Sequence, residues 1–194
     1  RQPKRRRIRL PLTTSRKRFA MATKDIVYIA LFAALMAVLG VFPPLMIPAL
    51  GIPITAQSMG PMLMGGILGA KRGTLSMLLF LAIGAVGLPL LSGGRGGLAP
   101  FVGPWSGFIY GWLAATFVIG WLTERFWNRL SFPLAFVIAV IGGIGIIYLV
   151  GIPWYAAMSG MGLVEAFIGS AVAFIPGDLI KAGVAAAVII AVRR

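Results

Sequence analysis

The side chains with the most evident chemistry are few and lie far apart along the 194 residues. Asp178 and Lys181 stand three positions apart in PGDLIKA (176–182), a spacing that puts a carboxylate and an ammonium on one face of a helix. Pro176 suits the first position of a helix, so Asp178 is expected in the first turn, where free N–H groups and the helix dipole favour an anion. Two readings follow: the pair lines a polar cavity and hydrogen-bonds something held there, or Asp178 caps the helix and Lys181 neutralises it. Arg95 stands among Gly93, Gly94, Gly96 and Gly97 in SGGRGGLAPFVGPWSGFIYG (92–111). Glycines there let the backbone turn tightly and approach a bound group, and the cation suits an anion; the alternative is a plain Gly-rich turn in water. Gln57, in IPITAQSMG (52–60), offers an amide that both donates and accepts, or is simply a polar residue at a helix end.

What is missing narrows the chemistry further. The chain has no Cys and no His, which excludes disulfides, thiolate metal sites, cysteine nucleophiles and the commonest catalytic base. The acids are Asp25, Glu124, Glu165 and Asp178, too dispersed in sequence to form a carboxylate site for a divalent cation, and no GxxxxGK[ST] loop occurs. No metal or cofactor is expected, and work driven by ATP would need a partner. The formal charge of +14 is mostly local, because nine of the 18 cations lie in the first 18 residues. Residues 1–20 read as a basic, disordered tail drawn to anionic lipid head groups rather than to nucleic acid. The other reading is that Met21 is the natural start and the tail is upstream sequence.

The positioning elements follow from hydropathy. With 59% hydrophobic and 11% charged residues and a mean hydropathy of +0.97, this is the composition of a multi-pass membrane protein. The fold expected is all-α, with residues 21–194 forming a single six-helix membrane domain. The spans are expected near Asp25–Val41, Ile54–Ala70, Thr74–Leu91, Pro104–Leu122, Phe132–Val150 and Pro176–Val192. A re-entrant or extramembrane stretch, PPLMIPALGIP, follows the first span, and a short outer-side segment, Leu163 to Phe174, is expected to end where Pro176-Gly177 interrupts it. Placing both termini in the cytoplasm collects Lys24, Lys71, Arg72, Arg125, Arg129, Arg193 and Arg194 on the inner side and leaves Arg95 outside, as the positive-inside rule requires. The Asp178 corner then faces the same outer region as Arg95. Ala30, Ala33, Ala34 and Ala37 give two overlapping AxxxA spacings on the first span, a stripe for close helix approach by a partner or by the chain's own helices.

The motifs IPITAQSMG (52–60), GGRGGLAPFVGP (93–104) and PGDLIKA (176–182), in this order and at these separations, resemble the BioY family. That family comprises biotin-binding S components of energy-coupling-factor (ECF) transporters, and the resemblance extends from about Asp25 to the C-terminus. It implies a six-helix protein of the cell membrane that captures biotin from outside and associates with a coupling transmembrane subunit and two ABC ATPases, meeting the former through the AxxxA surface. By the same resemblance Asp178 and Lys181 match vitamin-binding positions and Arg95 lies in the substrate loop with Gly94 and Gly96. The chain departs from the pattern after Gly103-Pro104, where Trp105-Ser106 replaces small residues. The ligand's chemistry fits these residues: Asp178 could accept both ureido N–H groups, Lys181 or Gln57 could serve the ureido carbonyl, and Arg95 the carboxylate. The apolar rings would pack on Phe101, Trp105 or Tyr110.

Two other classes compete. One is an S component for a different small vitamin. The other is an intramembrane aspartyl protease, suggested by Gly177-Asp178, but the only second aspartate, Asp25, is expected at the opposite membrane face. A serine protease would lack its histidine base.

Overall fold

The computed structural model describes residues 22–47 and 52–193; the basic tail falls outside them. Long helices dominate, as they must where apolar surroundings leave backbone groups no water to bond. Among the described residues, five helical stretches are long and apolar enough to cross a membrane: Thr23–Val41, Ala56–Val86, Ser106–Arg125, Phe132–Ser159 and Phe174–Arg193. Helix α1 (Thr23–Val41) leads into a short antiparallel hairpin, β1 (Leu45–Ile47) with β2 (Ile52–Ile54). The hairpin occupies the proline-rich stretch after the first span and holds the one pair of β-strands among the described residues. It also moves the next helix: a 3₁₀ turn, Ala56–Ser58, precedes α2 (Met59–Val86), which therefore starts after the expected Ile54.

Helix α2 is broken at Gly69, whose φ of +78° is closed to most L side chains. The two arms fold back on each other. A Cβ placed on Gly73 would lie 2.7 Å from the Met64 carbonyl oxygen, whereas nine residues of continuous helix would separate these positions by about 13 Å. Contacts with α1 agree: Gln57 bonds to the carbonyl of Met36, Ser76 to that of Ile29, and Arg72 pairs with Asp25 at 2.7 Å. The first arm thus descends α1 and the second climbs back toward Leu90, whose carbonyl also meets Gln57. The Glu124 carboxylate accepts the Ala70 N–H at 2.9 Å, serving a donor that the broken ladder leaves free. The second arm ends at Val86, before the expected Leu91, and a loop carries the chain to the one-turn α3 (Ala99–Val102) and α4 (Ser106–Arg125).

Helical structure runs through two prolines, including Pro176, where a break is expected. Helix α5 (Phe132–Val140), a π-helical segment Ile141–Ile146 and α6 (Ile147–Ser159) are continuous, so helical structure passes through Pro153 and beyond the expected Val150. Helix α7 (Leu163–Arg193) runs through Pro176 and absorbs the segment expected to stand alone. Proline's φ is compatible with a helix and its cost is one missing N–H, whereas ending the helix in an apolar medium would expose several groups. Asp178 therefore lies inside α7 and not at its N-terminus, which removes the helix-capping reading. The core gathers where the α2 arms cross α4, around the fully buried Met62, Met77, Phe80 and Ile119.

Candidate ligand-binding site

Buried charge needs partners, and Asp178, 4% exposed, has three. Lys181 Nζ lies 2.8 Å from Oδ1, the Ser58 hydroxyl donates to the same oxygen at 3.1 Å, and the Tyr148 hydroxyl donates to Oδ2 at 2.9 Å. Lys181 also donates to Ser58 Oγ at 2.8 Å. The start of α2, α6 and α7 thus converge on one carboxylate. The i,i+3 pairing expected from sequence is present, while the hydroxyls from two other elements supply donors the helix itself does not.

The Gly-rich loop is fastened from below. Gly93, Gly94 and Gly97 take positive φ values of 80°, 69° and 77°, and Leu91 and Arg95 exchange two backbone hydrogen bonds at 3.0 Å. Arg95 Nε donates to the Ser92 carbonyl at 2.9 Å, and its two terminal nitrogens have no partner among the described residues. Gln57, 1% exposed, donates to the carbonyls of Met36 and Leu90 and accepts the Ser92 N–H at 2.8 Å. Its amide joins the loop to α1 and has no donor left for a ligand.

A cavity of about 480 Å³ is bordered by both the loop and the charged cluster. Gln57, Gly94, Arg95, Gly96, Trp105, Asp178 and Lys181 all border it, so most of the sequence candidates are brought together. Phe101 and Tyr110 do not border it. Tyr110 is 40% exposed, donates to the Phe101 carbonyl and sets its ring edge against Trp154. The apolar wall comes instead from Phe108, Trp112 and Phe174 with Trp105, which stacks on Tyr155 at 4.2 Å. Asp25 is held by Arg72 at the far end of α1, so no second aspartate reaches Asp178. No group of His, Cys, Asp or Glu able to hold a metal occurs among the described residues.

Comparison with known proteins points one way. The BioY family profile matches residues 12–194. The biotin transporter BioY of Rhizobium etli is 49% identical over 171 residues, 86% of this chain and 91% of that protein. That of Rhodobacter capsulatus is 45% identical, over 81% of this chain and 87% of its own. A solved structure, the S-component for biotin from an ECF-type ABC transporter, superposes with a TM-score of 0.82 at 36% identity, covering 88% of this chain and 93% of that one. The chain belongs to the BioY family.

All three BioY motifs identified in the sequence meet at the cavity, through Ser58, Arg95 and Asp178. Thr55, Ser58, Phe174 and Tyr148 carry no expectation from sequence, and Phe108 and Trp112 are legible only as part of an aromatic helix face, not as site residues. The first two lie inside a quoted motif, and Phe108 and Trp112 share a helix face at i,i+4. Tyr148 had no signal beyond a phenol in an apolar run. Of the alanine stripe, Ala33 is buried at 5%, Ala30 and Ala34 are exposed, and Ala37 is half-buried.

Proposed function

We propose that this BioY protein captures biotin from outside the cell as the S component of an ECF-type ABC transporter. One observation carries the reading: a mostly apolar cavity is bordered both by the buried Asp178 with its half-buried partner Lys181 and by Arg95, whose terminal guanidinium nitrogens have no partner among the described residues. A ligand complementary to it has a neutral, strongly polar head, an apolar middle and an anionic tail. Biotin has that order. In a five-membered cyclic urea the two N–H groups diverge, one on each side of the carbonyl. Oδ1 of Asp178 already accepts two donors, so the carboxylate takes one ureido N–H at Oδ2 rather than both. The third ammonium proton of Lys181 is directed to the adjacent carbonyl, because its other two serve Asp178 and Ser58. Trp105, Phe108 and Phe174 enclose the rings, and Arg95 pairs with the carboxylate.

The reversal at Gly69 supports counting the two arms of α2 as separate crossings, which gives six spans with both termini on one side of the cell membrane. Lys24, Lys71, Arg72, Arg125, Arg129 and Arg193 gather at the end opposite the cavity, which supports a cytoplasmic placement of that end and an outward-facing cavity. The exposed Ala30 and Ala34 then offer a small-residue face on α1 for the coupling transmembrane subunit, behind which the ABC ATPases supply the energy. Mass spectrometry of molecules released from the purified protein should find biotin, and titration should saturate. Release of another vitamin, with no saturable biotin binding, would overturn the ligand. Ala34→Leu should lower recovery of the assembled transporter without changing biotin affinity; unchanged recovery would return the stripe to internal packing.

A further inference from the structure

The hydrogen-bond capacity around Asp178 leaves one polar group of a bound cyclic urea without a partner, and the residue placed to serve it was not among the candidate site residues. Asp178 has about four acceptor positions, of which Lys181, Ser58 and Tyr148 fill three. One position remains, enough for one ureido N–H. The second N–H points to the other side of the ligand carbonyl and, once desolvated, must find another acceptor or weaken binding. The lining side-chain oxygens are few. Gln57 Oε1 takes the Ser92 N–H, and Ser58 Oγ gives its proton to Asp178 while accepting from Lys181, so each keeps one of its two acceptor positions but is already committed to fastening the loop or the charged cluster.

Thr55 is different. It lines the same cavity and stands at the N-cap of the Ala56–Ser58 turn, yet its side chain makes no capping bond. A threonine at that position ordinarily spends its hydroxyl on a backbone N–H. Here the hydroxyl has no protein partner among the described residues, while the Thr55 carbonyl lies 3.3 Å from Ser58 Oγ, the same hydroxyl that reaches Asp178. Ser58 therefore ties Thr55 to the carboxylate cluster. We propose that the Thr55 hydroxyl accepts the second ureido N–H, so that Thr55 and Asp178 together recognise a ring carrying two N–H groups. This rests on the biotin reading above and assigns a specificity role that Asp178 alone cannot fill.

The test is a cycle of variants and ligands, read by calorimetric titration. The ligands are biotin and its two ring lactams, in each of which one or other ureido N–H is replaced by CH₂. Thr55→Val, which keeps the shape, should weaken biotin about tenfold, the loss of one neutral hydrogen bond, and Thr55→Ser should restore it. Thr55→Val should also bind one lactam at least as tightly as biotin, because biotin now buries an N–H without an acceptor and that lactam has none to bury. The other lactam should lose about tenfold on the same substitution. Equal losses for all three ligands, or a Thr55→Val affinity for biotin within threefold of wild type, would overturn the assignment. If Thr55→Val does not fold, Thr55→Ala runs the same cycle. Failure of the biotin reading itself would look different, as absence of saturable biotin binding by the wild-type protein.

Discussion

At the cavity end, Gly93, Gly94 and Gly97 give the loop its left-handed turns, and a Cβ on Gly94 or Gly97 would meet nothing within 4 Å. At the opposite end the need is reversed. A Cβ on Gly65 would come within 2.6 Å of the Thr116 carbonyl oxygen, and one on Gly120 would run into the backbone of Ala70. Gly93, Gly94 and Gly97 supply conformation; Gly65 and Gly120 supply closeness. In sequence the two sets are alike, yet one shapes the mouth of the binding cavity and the other allows three helical segments to meet. Substitutions at the two ends should therefore separate binding from stability.

The largest effect is expected from the cavity end. Asp178→Asn keeps the size but removes the charge shared with Lys181 and turns one acceptor into a donor. Loss of the charge-assisted bond together with a mispaired group should cost on the order of 3 kcal/mol, about a hundredfold in biotin affinity. Calorimetric titration measures it, with thermal unfolding of the unliganded protein alongside. Binding within threefold of wild type would make Asp178 structural. At the other end, Gly120→Ala should destabilise by about 2 kcal/mol, because the methyl meets backbone that cannot turn away. This lowers Tm by roughly 4–8 °C and, measured below that Tm, should leave biotin affinity unchanged. A weakened affinity with unchanged Tm would erase the contrast between the ends.

Arg95→Ala should have a smaller effect, about tenfold weaker binding of biotin, and should affect an uncharged biotin amide much less. An exposed guanidinium contributes less than a buried pair because water and salt screen it. Equal losses for acid and amide would show that Arg95 acts through its bond to the Ser92 carbonyl, as a loop fastener.

How much could be read in advance divides along similar lines. Asp178–Lys181 and Arg95 were legible because charged residues in an apolar chain need a reason, and spacing on a helix states which can meet. The first span was legible because Pro43-Pro44 ends it, but Pro176 gave a false break: inside packed apolar surroundings the helix continues through it. Tyr148 and Tyr110 show the limit most plainly. Both are phenols in helices, and only the packing of α6 on α7 directs one to Asp178 while the other faces Trp154. Gln57 was recognised as polar and near the site, but its three bonds reach residues 21, 33 and 35 positions away, which no local pattern predicts.

The smallest expected effect sharpens the contrast most. Gly94 has a φ of +69° and open space where a Cβ would go, so Gly94→Ala introduces backbone strain of about 1 kcal/mol and no clash. Where that strain is felt depends on whether the loop is already formed in the empty protein. The Leu91–Arg95 bonds and the Gln57 fastening hold it formed without ligand, so the strain is present in free and bound states alike and cancels in the affinity. Tm should fall by roughly 2–4 °C, with biotin affinity within about twofold of wild type. Gly94→Asn should recover most of the loss, because asparagine tolerates the left-handed conformation. Gly120→Asn should be worse than Gly120→Ala, because at the crossing the constraint is volume. If Gly94→Ala instead weakens biotin about fivefold and leaves Tm alone, the loop reaches this shape only when ligand arrives, and the cavity end is assembled by binding rather than built beforehand.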